Sequence, residues 1–443
     1  MFCLFDYIII SVIQGFVNIF LKTYRCRRYN ITYYMVYLVE NVSGGICMIS
    51  AKMKSKLAGG SAIRKMFEEG NRLKAIYGAE NVFDFSIGNP DLEPPVEVSQ
   101  ALKDLAVNPT PGMHGYMSNS GYESTRSTIA AKRSRESGLD IDAGAVCMTV
   151  GAASGLNDIL HSLLDTDDEV IVLAPFFMEY TNYIENHSGK TVIVDTGDDF
   201  MPDIEKIREA ITPKTKAIII NSPNNPSGVI YGEDVLSSLN EMLLAQDHVI
   251  HVISDEPYID LVYDGLTVPS ALKFIDNLII CFSWSKSLSL PGERIGYTLV
   301  SPKNADYDDL TAAIVLSNRT LGSVNAPAIW QKVVERSLDA KVDVANYEHR
   351  RNLLYSNIID AGFDSIKPSG ALYIFMKTPE GLTDAEFSAI CAKQNILLVP
   401  GASFSRSGYC RLAFCVSEQT IKGSRKAFYE VARELGITPR AEL

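Results

Sequence analysis

The chain is poor in the features that usually announce a special environment or a metal. Among its 443 residues are eight cysteines and six histidines. No two cysteines stand as Cys-x-x-Cys, which argues against a disulfide framework and against zinc, and points to reduced thiols. His114, His161, His187, His248, His251 and His349 share no spacing and read as structural or surface residues. Positive charge is also short. The formal net charge is -12, and the basic patch of a nucleic-acid-binding protein is missing. There are no internal repeats and no low-complexity linkers. With 47% hydrophobic and 21% charged residues the composition is that of a globular protein, long enough for one large or two ordinary domains.

A long apolar run occurs only at the start. Met1–Leu21 is rich in Phe, Ile and Val, interrupted by Asp6, Gln14 and Asn18, and followed by Lys22, Arg25, Arg27 and Arg28. One reading is a membrane anchor, since ~20 mostly apolar residues span a bilayer, with the basic cluster on the cytoplasmic side. The other is a segment upstream of the true start, because polar residues inside a span are costly and Met48 and Met53 precede the first ordinary helix. A secretory signal fits less well, as the charge follows the apolar run. The sequons at Asn30 and Asn41 matter only for a secreted protein. We follow the second reading and expect a cytoplasmic protein.

From residue 55 onward the pattern is that of an enzyme core. Ser61–Tyr77 has helical spacing in Ile63, Met66, Phe67, Leu73 and Ile76. Val82–Ile87 reads as a strand ending in the turn Gly88-Asn89-Pro90-Asp91, and Val96–Leu105 as a helix. Strands and helices then alternate. Strands are expected at Val146–Val150, Val170–Leu173, Thr191–Val194, Ala217–Asn221, Val249–Ser254 and Leu278–Ser283. Helices are expected at Ala153–Leu164, Met178–Glu185, Ile204–Ile211 and Val235–Leu244. Apolar strands between helices mark a mostly parallel sheet covered on both faces, a three-layer α/β domain. Helical spacing runs through Trp330–Ala361 with a pause near Asp339. Shorter strands follow at Ala371–Met376, Leu397–Val399 and Tyr409–Val416, then a helix at Thr420–Leu435. We expect a large domain at 101–334, a smaller α+β domain from both chain ends at 53–100 and 335–443, and residues 1–52 outside both.

Ligands of such sheets bind beyond the carboxyl ends of the strands. Gly151, Asn225, Asp255 and Lys286 fall at those ends. Lys286 stands in Ser283-Trp284-Ser285-Lys286, with Arg294 eight positions later between Gly292 and Gly296. A lone lysine near a loop is ordinarily a surface residue. A lysine at the end of a buried strand, beside hydroxyls and a guanidinium, is also what a Schiff-base amine next to a phosphate site requires. Asp255, in Asp255-Glu256-Pro257-Tyr258, could cap a helix. It could instead keep a pyridine nitrogen protonated, the state in which pyridoxal phosphate acts as an electron sink. No ligand spacing around it suggests a metal.

The pattern Ser283-x-Ser285-Lys286-x5-Gly292-x-Arg294-x-Gly296 resembles the lysine signature of the fold-type I pyridoxal-phosphate enzymes, the class I/II aminotransferases of the aspartate aminotransferase superfamily. Asn225-Pro226-Ser227-Gly228 and Asp255-x-x-Tyr258 stand upstream in that family's order. The resemblance spans about residues 55–440. It implies that Lys286 forms the Schiff base with pyridoxal 5'-phosphate and shuttles the proton, and that Asp255 pairs the pyridine nitrogen. It implies that Tyr258 and Asn225 donate to the cofactor's phenolic oxygen. Gly151, Ala152 and Ala153 would bind the phosphate at a helix start, with Ser283, Ser285 and Arg294 completing the cradle. Phe177 would stack on the pyridine ring; its alternative is a core aromatic. Tyr116 would reach the phosphate of the partner subunit in a two-fold dimer with shared active sites. Arg411, in Cys410-Arg411-Leu412, would clamp the substrate carboxylate, which Asn225 also contacts, and Gly88 would lie over the substrate.

The activity implied is transfer of an amino group from an L-amino acid to a 2-oxo acid by a ping-pong mechanism. A carbon–sulfur β-lyase on the same scaffold is the alternative, identified by pyruvate and ammonia from a cysteine conjugate. A cofactor-sensing regulator would carry a DNA-binding domain in front, where this chain has a short apolar segment. The phosphate-loop stretch Gly151-Ala152-Ala153-Ser154 lacks the lysine that some relatives use to hold a second carboxylate. Arg319, in Ser317-Asn318-Arg319-Thr320, is the candidate for that role across the dimer interface; its plain reading is a surface salt bridge. If the first residues lie outside the enzyme core, a chain beginning at Met53 will be soluble, dimeric and active. Gel filtration and cofactor absorbance check this, and aggregation or loss of cofactor binding would place the extension inside the fold.

Overall fold

A computed structural model describes residues 49–59 and 62–443. The apolar run, the basic cluster and both sequons lie outside the described residues. The chain divides at Gly60–Ser61 into two units. The described part of the first is essentially one short helix, Ala51–Gly59. Among the described residues, no helix is long and apolar enough to cross a membrane.

The second unit contains twelve strands: β1 Phe83–Asp84, β2 Val146–Thr149, β3 Glu169–Ala174, β4 Lys190–Asp195, β5 Thr215–Asn221, β6 His251–Asp255, β7 Leu278–Ser283, β8 Gly296–Val300, β9 Tyr373–Lys377, β10 Ile396–Leu397, β11 Val399–Pro400 and β12 Tyr409–Ala413. Seven form one sheet in the order β2-β8-β7-β6-β5-β3-β4. Strand β8 runs antiparallel to both its neighbours. The pairs from β7 across to β4 are all parallel.

Side chains alternate across a strand, and here both faces are apolar. Ile171, Leu173, Ile218, Ile220, Leu278 and Ile280 join one hydrophobic cluster. The residues between them, Val170, Val172, Ile219 and Ile279, join another. The second cluster is closed by the helices Gly151–Leu163, Glu179–Asn186 and Tyr307–Thr320, through Leu156, Ile159, Tyr180, Ile184 and Ile314. Helices such as Glu233–Leu244 and Ala328–Arg336 cover the first, through Leu236, Leu239 and Val333. Helix, sheet and helix make three layers, the α/β architecture expected of a parallel sheet.

A smaller sheet, β11-β12-β9, is antiparallel. Beside it β1 pairs with β10, so Phe83 near the start of the unit meets Ile396 near its end. These strands and the helices Val344–Asp360, Asp384–Lys393 and Glu418–Glu434 share their own apolar cluster, including Phe85, Tyr347, Leu354, Phe387 and Phe428.

Three local differences from the sequence pattern have physical causes. The expected strand Val82–Ile87 is only Phe83–Asp84: the Phe85 N–H still donates to Leu397 O, but the Phe85 carbonyl accepts from the Ala413 N–H, and beyond it Ser86 O accepts from Arg411 and Gly88 O from Lys286. The expected Leu397–Val399 is split between β10 and β11, which belong to different sheets. The helix Glu123–Ser137 has few apolar residues, Ile129 and Ala130 among its buried ones, so its sequence lacks an amphipathic stripe.

Candidate active site

Four strand ends of the large sheet converge on one cavity of about 340 Å3, within the size range of cofactor pockets. Ala152 and Ala153 follow β2, Asn221 and Asn225 end or follow β5, Asp255 ends β6, and Ser283, Ser285 and Lys286 end or follow β7. Tyr373 of β9 and Arg411 of β12 close the far side from the small sheet. Gly88, Phe177, Tyr258 and Arg294 also line it.

The charges are unbalanced. Lys286, Arg294 and Arg411 line the cavity, and among the described residues Asp255 is the only acid that does. Arg411 is 3% exposed. Its guanidinium donates to Ser86 O at 2.8 Å and Asn225 Oδ1 at 3.3 Å, and its Nε has no acceptor among the described residues. The rings of Tyr373 and Phe404 lie 4.5 and 4.8 Å from its centre. A buried cation with neutral acceptors and no carboxylate pair is costly unless an anion arrives. An arginine so placed is suited to a ligand carboxylate.

Asp255 is fully enclosed. Tyr180 donates to its Oδ2 at 2.5 Å, while Oδ1 has no hydrogen-bond partner among the described residues. Burial pushes its pKa up to about 7, against the pull of the Tyr180 hydrogen bond. Asn221 sits opposite Asp255 in the β5–β6 ladder. It donates to the Asp255 carbonyl at 2.8 Å, and its Oδ1 accepts from the Asn225 backbone N–H at 2.7 Å. Asn225 Oδ1 faces Arg411, leaving its amide N–H groups for the cavity.

Lys286 Nζ donates to Gly88 O at 2.6 Å. Ser283 Oγ lies 2.7 Å from Ser285 Oγ and accepts from the Ser285 backbone N–H. Gly151 begins the helix Gly151–Leu163 with φ +73, and a Cβ there would lie 2.6 Å from an Arg294 nitrogen. The missing side chain leaves the helix start open beside a guanidinium, an arrangement suited to a phosphate. Phe177 contacts Tyr180 edge-on, with centroids 5.6 Å apart.

These features fit pyridoxal phosphate: an orphaned buried carboxylate oxygen for a pyridine nitrogen, a helix start with a guanidinium for the phosphate, and a lysine amine between them. Two of the residues named from the sequence lie elsewhere. Tyr116 is 97% exposed, and Arg319 is exposed in the last turn of the helix Tyr307–Thr320. Neither lines the cavity of its own chain. Tyr180, Asn221 and Tyr373 were not named from the sequence. Asn221 carried a usable signal, a polar residue at the carboxyl end of an apolar strand.

Known proteins share this sequence pattern and fold. The sequence profile of aminotransferase class I and II matches residues 80–427. The aspartate/prephenate aminotransferase of Thermus thermophilus is 32% identical over 358 residues, 79% of this chain and 90% of that protein. A solved amino transferase from Eubacterium rectale is 37% identical with a TM-score of 0.85, covering 87% of this chain and 99% of its own. Thermus thermophilus aspartate aminotransferase with maleate is 28% identical with a TM-score of 0.75, covering 84% and 97%.

Asp255 gives a prediction for the cofactor-free protein. Its folded pKa, about 7, lies above the ordinary 3.8. The folded form therefore keeps a proton that the unfolded form releases, and this contribution to stability is full below about pH 4 and lost as pH rises to about 7. Asp255→Asn stays neutral and lacks that loss. Urea unfolding at pH 4.5 and 7.5 should show wild type losing at least about 1 kcal/mol more than the variant over this interval. Parallel losses would mean that Asp255 is ionised throughout.

Proposed function

The chain belongs to the aminotransferase class I and II family, and we propose that it moves the amino group of an L-amino acid to a 2-oxo acid with Lys286 as the covalent anchor of pyridoxal phosphate. The observation that carries this reading is the orphaned Asp255 Oδ1 in the cavity that Lys286 lines. Bound there, pyridoxal phosphate supplies an electron sink for the bonds at the substrate α-carbon. Asp255 holds the proton of the ring nitrogen. Tyr180 and Asn221 fix Asp255 through its Oδ2 and its carbonyl. Backbone N–H groups of Gly151, Ala152 and Ala153, with Ser283, Ser285 and Arg294, would hold the phosphate. Phe177 would cover one face of the ring. Tyr258 and Asn225 would donate to the ring hydroxyl oxygen. Burial and the neighbouring Tyr373 raise the Tyr258 pKa well above its ordinary value, so it is a neutral donor at physiological pH.

Arg411 clamps the substrate carboxylate, with Gly88 above it. Lys286, with its amine in the same cavity, would be the base that takes the proton from the substrate α-carbon. One cavity and one buried arginine serve both substrates, so the first 2-oxo acid leaves before the second enters, a ping-pong order. We propose a homodimer, supported by the outward Tyr116 and by Leu316 and Leu321, 52% and 43% exposed around Arg319. In the dimer Tyr116 reaches the neighbouring phosphate. The cysteines Cys147, Cys281, Cys391, Cys410 and Cys415 are free and buried, which supports a reducing, cytoplasmic setting.

For substrate choice we propose dicarboxylic amino acids, with Arg319 of one subunit attracting the second carboxylate at the other's site. The maleate carried by a related aspartate aminotransferase supports this class.

Two substitutions test these roles. Lys286→Ala should retain part of the cofactor affinity through the phosphate cradle and lose at least ~10²–10⁴ in turnover. Near wild-type turnover would remove Lys286 from the mechanism, and pyruvate with ammonia from a cysteine conjugate would favour the lyase. Arg319→Ala should lower kcat/KM for aspartate or glutamate by roughly 10–100-fold and leave alanine nearly unaffected. Equal loss on both would indicate a role in dimer formation, and no loss would return Arg319 to the surface.

A further inference from the structure

Tyr373 begins β9 of the small sheet, yet its hydroxyl lies 3.1 Å from that of Tyr258, beyond the end of β6. The approach depends on Gly88, where a Cβ would stand 2.0 Å from the Tyr373 oxygen. Both phenols are buried, 3% and 5% exposed. Among the described residues, the contact between them is the one hydrogen bond seen for either hydroxyl.

Two phenols with one contact carry two protons, and only one lies between them. If Tyr258 donates to Tyr373, it has no proton left for the cavity. If Tyr373 donates, the Tyr258 proton is free for the cavity. An anionic oxygen there can only accept, so it selects the second arrangement. Hydrogen bonds in series also polarise one another, which makes Tyr258 the stronger donor.

We propose that Tyr373 is a positioning residue: it donates to Tyr258 and so directs the Tyr258 proton to the ring hydroxyl oxygen of the bound cofactor. This rests on the function proposed above. The other charged and titratable groups lining the cavity are Tyr180, Tyr183, Asp255, Lys286, Arg294 and Arg411. Tyr373→Phe leaves all of them in place and keeps the ring beside Arg411.

The test is a pH titration of the visible absorption of the bound cofactor in purified holoenzyme. Donors to the phenolic oxygen favour the deprotonated chromophore, so Tyr373→Phe should move the midpoint up by about 0.5–1 unit. Tyr258→Phe should move it further. Added to Tyr258→Phe, the Tyr373→Phe change should have no further effect, because it acts through Tyr258. In turnover the loss should fall more on kcat than on KM. An unchanged midpoint in Tyr373→Phe would overturn the proposal, as would an equal shift in the Tyr258→Phe background. A wild-type protein with no cofactor band would instead overturn the proposed function itself.

Discussion

Three cations and one carboxylate share the walls of a single cavity, and most of the surrounding structure can be understood from the difficulty of keeping them there. Arg411 and Asp255 are buried and Lys286 and Arg294 half-buried, and a buried ion without a counter-ion loses several kcal/mol of solvation. The fold offsets this with neutral oxygens. Ser86 O and Asn225 Oδ1 accept from Arg411, Gly88 O accepts from Lys286, and Pro291 O accepts from Arg294. Three of these acceptors are backbone carbonyls. The stretch from Ser86 to Gly88, just past β1, thus supplies carbonyls to two of these cations.

Behind the cavity the sheet supplies a different kind of support. Glu256, next to Asp255, is buried and paired with Arg133 at 3.0 Å, and Ser254 donates to its other oxygen at 3.1 Å. Arg133 also donates to the Tyr297 hydroxyl at 2.7 Å and lies 5.5 Å from the Phe282 ring centre. The charge of Glu256 adds to the burial that raises the Asp255 pKa, and Arg133 offsets it. Two carboxylates adjacent in sequence thus have opposite settings. One is paired and structural. The other keeps an oxygen without a partner.

Six of the seven strands of the large sheet were legible because they are apolar and the polar residues cluster at strand ends; β8, Gly296–Val300, was not expected. Leu278–Ser283 has the bounds its sequence suggests, and Lys286 comes three residues later, in the short helix Trp284–Ser287. Other parts carried weaker local signals. Helix Glu123–Ser137 is largely polar, yet its buried Arg133 holds Glu256. Tyr373 lies in an apolar run, Tyr-Ile-Phe-Met, where nothing separates a core tyrosine from one that meets Tyr258. Its place depends on a contact 115 residues away in sequence. Periodicity reports which face of an element is buried. It does not report which distant element that face meets.

That distinction explains why the missed residues are neighbours of the groups proposed to meet the ligand rather than those groups themselves. A group proposed for such a role needs a particular residue type, which stands out in the sequence as Asp255 and Lys286 at or after strand ends and as Arg411 within β12. A group that positions another needs only a hydroxyl or amide at the right point in space. Tyr180 reaches Asp255 from the helix Glu179–Asn186, and Asn221 reaches it from the neighbouring strand. Each is fixed by the packing of its own element. Tyr180 is held in the apolar cluster below the sheet, and Asn221 is held by the register that sets it against Asp255. The rigidity of the three-layer core therefore passes directly into the orientation of the Asp255 carboxylate, without a flexible loop between them.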